Sequence, residues 1–574
     1  MPRYGDKGGF NQTGLSILFI AALIGFISGI VAWLFRLLIG LIHNIAFLGE
    51  FSTNYNANVH TPESVWGIGI ILAPVLGGIV VVWLVKNFAP EAKGHGVPEV
   101  ISAIYYKAGN IDGKVSLIKA LASSITIGTG GSLGREGPIV QICSSFSSAL
   151  GKLFKLTSSQ RILLISCGAS GGIAATFNAP LAGILFAIEL LMVSINSQTI
   201  LAVAMSTVIA AHIGRLLIGP DPAFVLDSLN AFSTVADNPL TLMMFLPFGA
   251  LMALFAILFI KSIYWFEDAF NKIPVNDYVR HIIGTLLLGT LMYGMFRLSG
   301  HYYIQGVGYA AISSILVQAV SDPLFMLLLF FTKLLATGLT IGSGGSGGVF
   351  SPTLFLGASI GGAIGHGLNF VFPELAIDPV VLSIVGMASM VSAATSAPLT
   401  ATLITYEMTR DYNAILPIML SVSVAYAVRR TLMTSDIYTL KLLRRGEVIP
   451  EGLVIDLQSS IKASDVLTGN YRVVSKGMAF SPFDGVSLVS ENESIVGFVR
   501  PFTYNIDVDI LVDDLIQTNF ITAKPDATLQ SLMHGLKTQN ANYAVITHTG
   551  TNQVSQIAGI VTEHDIAVAM DVVQ

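Results

Sequence analysis

Two glycine-rich stretches in different halves of this chain are near copies of each other. One reads TIGTGGSLGREGP, Thr126 to Pro138, and the other TIGSGGSGGVFSP, Thr340 to Pro352; eight of the thirteen aligned positions are identical. Both sit inside apolar sequence, in a chain of 574 residues that is 53% hydrophobic and only 11% charged. Soluble domains carry roughly 25% charge, so most of this chain belongs in lipid. There an unpaired backbone N–H or C=O is costly, and irregular glycine-rich backbone survives only buried in protein or lining a cavity. A duplicated, broken segment in corresponding halves points to a transporter's binding site.

The first apolar run, Leu15 to Ile42, is too long for a signal-peptide core and is read as a retained first helix. Apolar runs continue to about Ala427. Many are shorter than the ~20 residues that cross a bilayer, which predicts partial spans and re-entrant helices. The net charge of −5 argues against a nucleic-acid partner. Cys143 and Cys167 lie in apolar segments without metal spacing and read as buried free thiols.

The repeat extends beyond the glycine runs. Lys119 aligns with Lys333, and FNAPLAGILFAIEL (Phe177–Leu190) with TSAPLTATLITYEM (Thr395–Met408), each with a glutamate near its end, Glu189 and Glu407. The halves are about 100–215 and 315–430; the sequence alone is compatible with parallel or inverted repeats. Arg429, Arg430, Lys441, Arg444 and Arg445 cluster after the last apolar run, so this end is expected to face the cytoplasm, and Arg3 and Lys7 suggest the same for the N-terminus. The expected division is a membrane domain over 1–445 and a polar cytoplasmic domain over 446–574.

Helix N-termini present free N–H groups and partial positive charge, and so hold anions. GREGP (Gly134–Pro138) and GVFSP (Gly348–Pro352) each place a helix start just after a glycine run, and GHGVPE (Gly94–Glu99) is a third break. One helix end contributes ~0.3–1 kcal/mol, up to ~2 when buried. A charge at the bilayer centre costs at least ~2.5–3.5 kcal/mol, so several convergent ends are needed. Glu136 is the sharpest residue: a carboxylate at such a start occupies the anion's place, and protonation frees it, coupling anion passage to pH. The bland alternative is a terminal carboxylate paired with Arg135.

These motifs, GHGVPE, GREGP, FNAPLAGILFAIE, GSGGVFSP and IYTLKL, in this order over about 15–445, resemble the CLC chloride channel and chloride/proton exchanger family. The resemblance implies an all-α polytopic membrane fold with an inverted repeat of tilted and re-entrant helices. It also implies a homodimer in the lipid bilayer with one ion pathway per subunit. The family's gating glutamate falls on Glu136, with Gly134 and Arg135 beside it as anion-binding positions; its central N–H donors fall on Val349 and Phe350, and its pore-facing tyrosine on Tyr438. For Tyr438 the alternative is an interfacial aromatic anchor.

Two positions depart from the family pattern. His95 stands where the family's Ser contacts the central anion; an imidazole either donates to the anion or points away and leaves the work to backbone. Leu190 stands where exchangers usually carry an internal proton-transfer glutamate, after Glu189. Leucine carries no proton, which favours channel-like chloride conduction, with chloride/proton antiport as the alternative. Glu189 and Glu407 read as structural carboxylates. A transporter of an organic substrate is a remote rival, and no catalytic set supports an enzyme. No cofactor is required.

The stretch from about 520 to 574 resembles a CBS module, strand–helix–strand then strand–turn–helix. The resemblance implies Thr562 and Asp565 as phosphate and ribose contacts of an adenine nucleotide; the alternative for Asp565 is a helix cap. A first module, opening at Ala463–Gly477, continues without a clear helix and reads as degenerate. The whole reads as a multi-pass protein of the plasma or inner membrane, both termini cytoplasmic, carrying chloride and, in the antiport reading, protons.

Overall fold

The computed structural model describes residues 10–193, 195–224, 232, 239–373, 378–447, 449, 462–501, 510–539, 541–562 and 565–566. Arg3 and Lys7 lie outside them, as does the expected last helix beyond 566. The chain divides into two compact units, Met1–Pro450 and Glu451–Gln574.

The first unit is helical. Among the described residues, eight helices are long and apolar enough to cross a membrane. Others are too short: Val97–Tyr106 has 10 residues, about 15 Å at 1.5 Å per residue, half of a ~30 Å hydrocarbon core. Helices Phe350–Val371 and Pro379–Thr395 pack closely through glycine, since a Cβ on Gly357 would lie 2.4 Å from the Gly386 carbonyl oxygen.

The two halves repeat each other down to single dihedrals. Asn178 (φ 58°) and Ser396 (φ 61°) end their helices in the left-handed conformation, and Pro180 and Pro398 then open the next helix in the first-turn position proline tolerates. These two short helices, Pro180–Leu190 and Pro398–Thr409, exchange carboxylates. Glu407 accepts from the N–H groups of Leu181 (3.1 Å) and Ala182 (2.8 Å). Glu189 accepts from those of Leu399 (2.9 Å) and Thr400 (2.8 Å), and from the Thr400 hydroxyl (2.6 Å). Each glutamate thus satisfies the orphan donors and positive end of its counterpart's helix. The paired lysines follow the same rule. Lys119 donates to the carbonyls of Ala92 (3.0 Å) and Gly94 (2.7 Å), and Lys333 to those of Ile304 (3.1 Å) and Gly306 (3.0 Å). Each buried ammonium is compensated by the bend it holds.

The second unit carries two three-stranded sheets of the same order, β1 Tyr471–Ser475, β2 Val486–Glu491 and β3 Ser494–Val499, then β4 Phe520–Ala523, β5 Tyr543–Thr547 and β6 Ile557–Thr562. In each the first pair is parallel and the second antiparallel. Helix Leu529–Thr538 joins β4 to β5, whereas 476–485 joins β1 to β2 without one. The modules interlock: Thr468 pairs with Ile560 of β6, and Gln517 with Phe498 of β3.

Candidate functional site

The two glycine runs cross each other inside the first unit. Within each, a glycine with positive φ, Gly130 (105°) or Gly344 (125°), turns the chain so that the next N–H reaches back to the preceding helix. Gly131 donates to the Thr126 carbonyl (2.8 Å) and Gly345 to that of Thr340 (2.9 Å). At the crossing, the Gly134 N–H donates to the Gly348 carbonyl and the Gly348 N–H to that of Gly134, both at 2.7 Å. Flanking bonds are reciprocal too: Ser132 N–H to the Thr340 hydroxyl (3.3 Å) and Ser346 N–H to that of Thr126 (3.4 Å). The third break joins this junction, because Gly94 donates to the Gly345 carbonyl and accepts from the Gly347 N–H, both at 3.2 Å. Irregular backbone is thereby hydrogen-bonded to irregular backbone, as its apolar surroundings demand.

Helices start at this junction with their N–H ends unpaired by any preceding turn. Glu136–Leu153 begins with Arg135 as its N-cap, Phe350–Val371 with Val349, and Val97–Tyr106 with Gly96 (φ 91°). A fourth, Tyr309–Leu316, begins after Gly308 (φ 81°). A Cβ on Gly137 would meet the His95 carbonyl oxygen at 2.2 Å, so glycine is needed for the approach of two of these starts.

The Glu136 side chain is buried in the middle of this group. Its Oε1 accepts from the Tyr309 hydroxyl at 2.7 Å and from the Ser351 hydroxyl, and its Oε2 from the Ser351 N–H at 3.4 Å. The carboxylate therefore turns to neutral donors of the other repeat. Neighbouring Arg135 instead lies over the Tyr309 ring, 5.4 Å from its centroid. Gly134 makes room: a Cβ there would lie 2.2 Å from Glu136 Oε2. Val349 and Phe350 are buried at the start of their helix, Phe350 with its ring 5.7 Å from that of Phe177. Tyr438 is buried at the start of helix Thr439–Arg444, within reach of the Glu136 charge.

The His95 carbonyl abuts Gly137, next to Glu136, while the residue lines a separate cavity wall. It is buried on the wall of a cavity of about 430 Å³ that Glu99, Glu267, Lys441 and Arg445 also line, and among the described residues its Nδ1 has no hydrogen-bond partner. Arg445 grips Glu99 with both nitrogens (2.7 and 3.0 Å), and Lys441 stands 3.5 Å from it. Burial alone pushes the Glu99 carboxyl up, but the Arg445 hydrogen bonds and the Lys441 charge outweigh it and hold the group below its ordinary value. Leu190 ends its short helix half-buried, away from the glycine junction's hydrogen bonds. In the second unit, Asp565 accepts from the Thr562 N–H (2.9 Å) and hydroxyl (2.8 Å) and donates its own N–H to that hydroxyl (3.0 Å). Among the described residues, no group of three or more His, Cys, Asp or Glu is placed to hold a metal.

Tyr309 and Ser351 were not legible from the motifs alone. The signal lay in the repeat: Lys119 holds the bend at Gly94 and Lys333 the bend at Gly306, which makes Gly306-Val307-Gly308-Tyr309 the counterpart of Gly94-His95-Gly96-Val97.

A family model described as "Voltage gated chloride channel" matches residues 77–430. The chain belongs to the CLC family. It is 32% identical over 441 residues to the H(+)/Cl(−) exchange transporter ClcA of Vibrio parahaemolyticus, covering 76% of this chain and 91% of the relative. It is 30% identical over 441 residues to the protein of that name from Klebsiella pneumoniae, covering 76% and 90%. The solved structure of a slow cyanobacterial Cl−/H+ antiporter matches with a TM-score of 0.65 and 26% identity, over 75% of this chain and 97% of that one. A eukaryotic CLC transporter matches with a TM-score of 0.62 and 19% identity, over 96% and 98%, and shows the fold alone. This CLC protein is thus a multi-pass membrane protein of a chloride-transporting family, with a small sheet-containing unit after the CLC fold.

Proposed function

We propose that this protein exchanges chloride for protons, with Glu136 as the protonatable gate. The observation that carries the reading is the Glu136 carboxylate, seated where the glycine-rich helix starts converge and held there by donors of the opposite repeat. Ionised, it fills the place of a small anion. Protonated, it loses the charge that the donors and helix ends hold, and it yields the place to chloride while carrying a proton. The relatives at 30–32% identity bear the name of H(+)/Cl(−) exchange transporters, which favours exchange over the channel-like reading drawn from Leu190. With leucine at 190, the proton reaches Glu136 without a side-chain carboxylate at that position.

In this reading the anion passes the cavity beside His95, then the N–H groups at Val349 and Phe350 with Tyr438 opposite, and last the place of Glu136 beside Gly134 and Arg135. The protein is a homodimer, both termini are cytoplasmic, and the membrane is the plasma or inner membrane. The C-terminal unit is a CBS-type regulatory pair. The shared sheet order and the interlocking strands support this, and the missing helix between β1 and β2 fits a degenerate first module. An adenine nucleotide is the ligand class proposed for it, with Thr562 and Asp565 as contacts; their mutual hydrogen bonds equally suit a cap.

The test is a chloride gradient imposed across vesicles containing the full-length protein, with internal pH recorded. Exchange predicts proton movement against the proton gradient. Chloride flux with no accompanying proton movement overturns exchange and restores the channel-like reading.

A further inference from the structure

Among the described residues, the gate carboxylate makes no salt bridge. Its nearest donors are two hydroxyls and one backbone N–H, and all three side chains are sealed from solvent: Glu136 is 2% exposed, Tyr309 1% and Ser351 0%. The two hydroxyls converge on one oxygen, Glu136 Oε1, and lie 3.1 Å from each other. Ser351 has a single hydroxyl proton but two acceptors within reach, Glu136 and the Tyr309 oxygen. When the carboxylate leaves, the acceptor that remains for that proton, among the described partners of Ser351, is the Tyr309 oxygen. Tyr309 then has its own proton free and unpaired in a dry site, where a buried donor without an acceptor is unfavourable. The Ser351 hydrogen bond onto Tyr309 also polarises the phenol and strengthens it as a donor.

Something must accept the Tyr309 proton in the open state. The ring cannot turn away freely, because the Arg135 guanidinium lies 5.4 Å over it and the Phe224 ring stands edge-on at 5.4 Å. The charged and titratable groups whose fields meet here are Glu136, Arg135, Lys333 and the phenols of Tyr309 and Tyr438, with Asp436 acting on Tyr438. Once Glu136 is neutral, the fixed charge left acting on Tyr309 is the Arg135 cation, which favours an anion as the replacement acceptor.

We infer that Tyr309 is an anion-coordinating residue of the place Glu136 vacates, and that Ser351 is the positioning residue that aims it. This rests on the reading of Glu136 as the gate. Donors that converge on one point fit a monatomic halide better than a planar polyatomic anion, whose charge is spread over several oxygens. The pair therefore contributes to preference for chloride over nitrate, and in the closed state it stabilises the ionised carboxylate.

The experiment uses full-length protein with Glu136→Gln as the background, adding Tyr309→Phe or Ser351→Ala. Both substitutions delete one hydroxyl and little volume, and either one suffices as a test if the other does not fold. Chloride binding by calorimetry should weaken about tenfold for Tyr309→Phe and about threefold for Ser351→Ala. The chloride-to-nitrate flux ratio should fall severalfold in both, which a merely structural role would not produce. With Glu136 intact, Tyr309→Phe should move the flux–pH curve to higher pH by about one unit, since an ionised carboxylate that loses a donor is protonated more readily. Chloride affinity and the chloride-to-nitrate ratio both within twofold of the background overturn the proposal. Failure of the gate reading looks different: Glu136→Gln alone would then leave proton coupling and pH response as in the unsubstituted protein.

Discussion

The two glycine-rich crossings share a backbone and differ in what they present. In both, the chain turns at a positive-φ glycine, bonds back to a threonine carbonyl, and pairs with the other copy through Gly134 and Gly348. At the two positions that follow, one copy carries Arg135-Glu136 and the other Val349-Phe350. One crossing therefore delivers a titratable group, and the other delivers neutral N–H and hydroxyl donors that receive it, including those of Ser351. Symmetry builds the frame, and the side chains that differ, Ser351 opposite Gly137 among them, make one half the gate and the other its seat.

The sharpest way to break this comparison is to add the same methyl group to both crossings. A Cβ on Gly348 would lie 2.7 Å from the Gly137 nitrogen and 3.2 Å from the Gly134 oxygen, both backbone atoms. Gly348→Ala should destabilise by at least ~1–3 kcal/mol, as overpacking against a fixed frame does, seen as lost monodisperse protein and a lower unfolding midpoint. A Cβ on Gly134 instead meets the Glu136 carboxylate at 2.2 Å, the end of a side chain that can move, with the Ser351 nitrogen at 3.0 Å. Gly134→Ala should be the milder lesion in stability yet displace the gate, so that chloride flux at high pH rises. Equal damage from both, with no change in the flux–pH curve for Gly134→Ala, would show that the halves do not divide the work in this way.

A gentler comparison uses the exchanged carboxylates. Glu189→Gln and Glu407→Gln each weaken charge-assisted hydrogen bonds to two helix-terminal N–H groups, and should each cost about 1–3 kcal/mol. Glu189 also accepts from the Thr400 hydroxyl, so its loss should be the larger by a few tenths of a kcal/mol. Unfolding midpoints of the two variants measure this. A clear effect from one and none from the other would contradict their reciprocal role.

Much of the frame is legible in the sequence. Glycine, proline and lysine positions are demanded by backbone geometry and by buried charge, so the duplication kept them: Gly134 with Gly348, Pro180 with Pro398, Lys119 with Lys333. The seat of the gate was not readable. Tyr309 and Ser351 meet Glu136 only because the crossing brings residues distant in sequence together. The stretch that carries Tyr309 shares only its glycines with GHGVPE. The motif pattern placed His95 and Glu136 in one pathway, and their surroundings differ: His95 lines a polar cavity, while Glu136 sits in a dry clasp. In the second unit, the parallel β1–β2 pair formed without a helix, which hydrophobic periodicity alone did not reveal as a sheet.

The central claim is that Glu136 is both the gate for chloride and the carrier of the proton. The most direct measurement compares the unsubstituted protein with Glu136→Gln in vesicles under one chloride gradient, recording chloride flux and internal pH together over a range of external pH. The account predicts that the variant conducts more chloride than the unsubstituted protein at neutral pH, with no pH dependence and no uphill proton movement. Proton uptake and pH response unchanged by the substitution would contradict it.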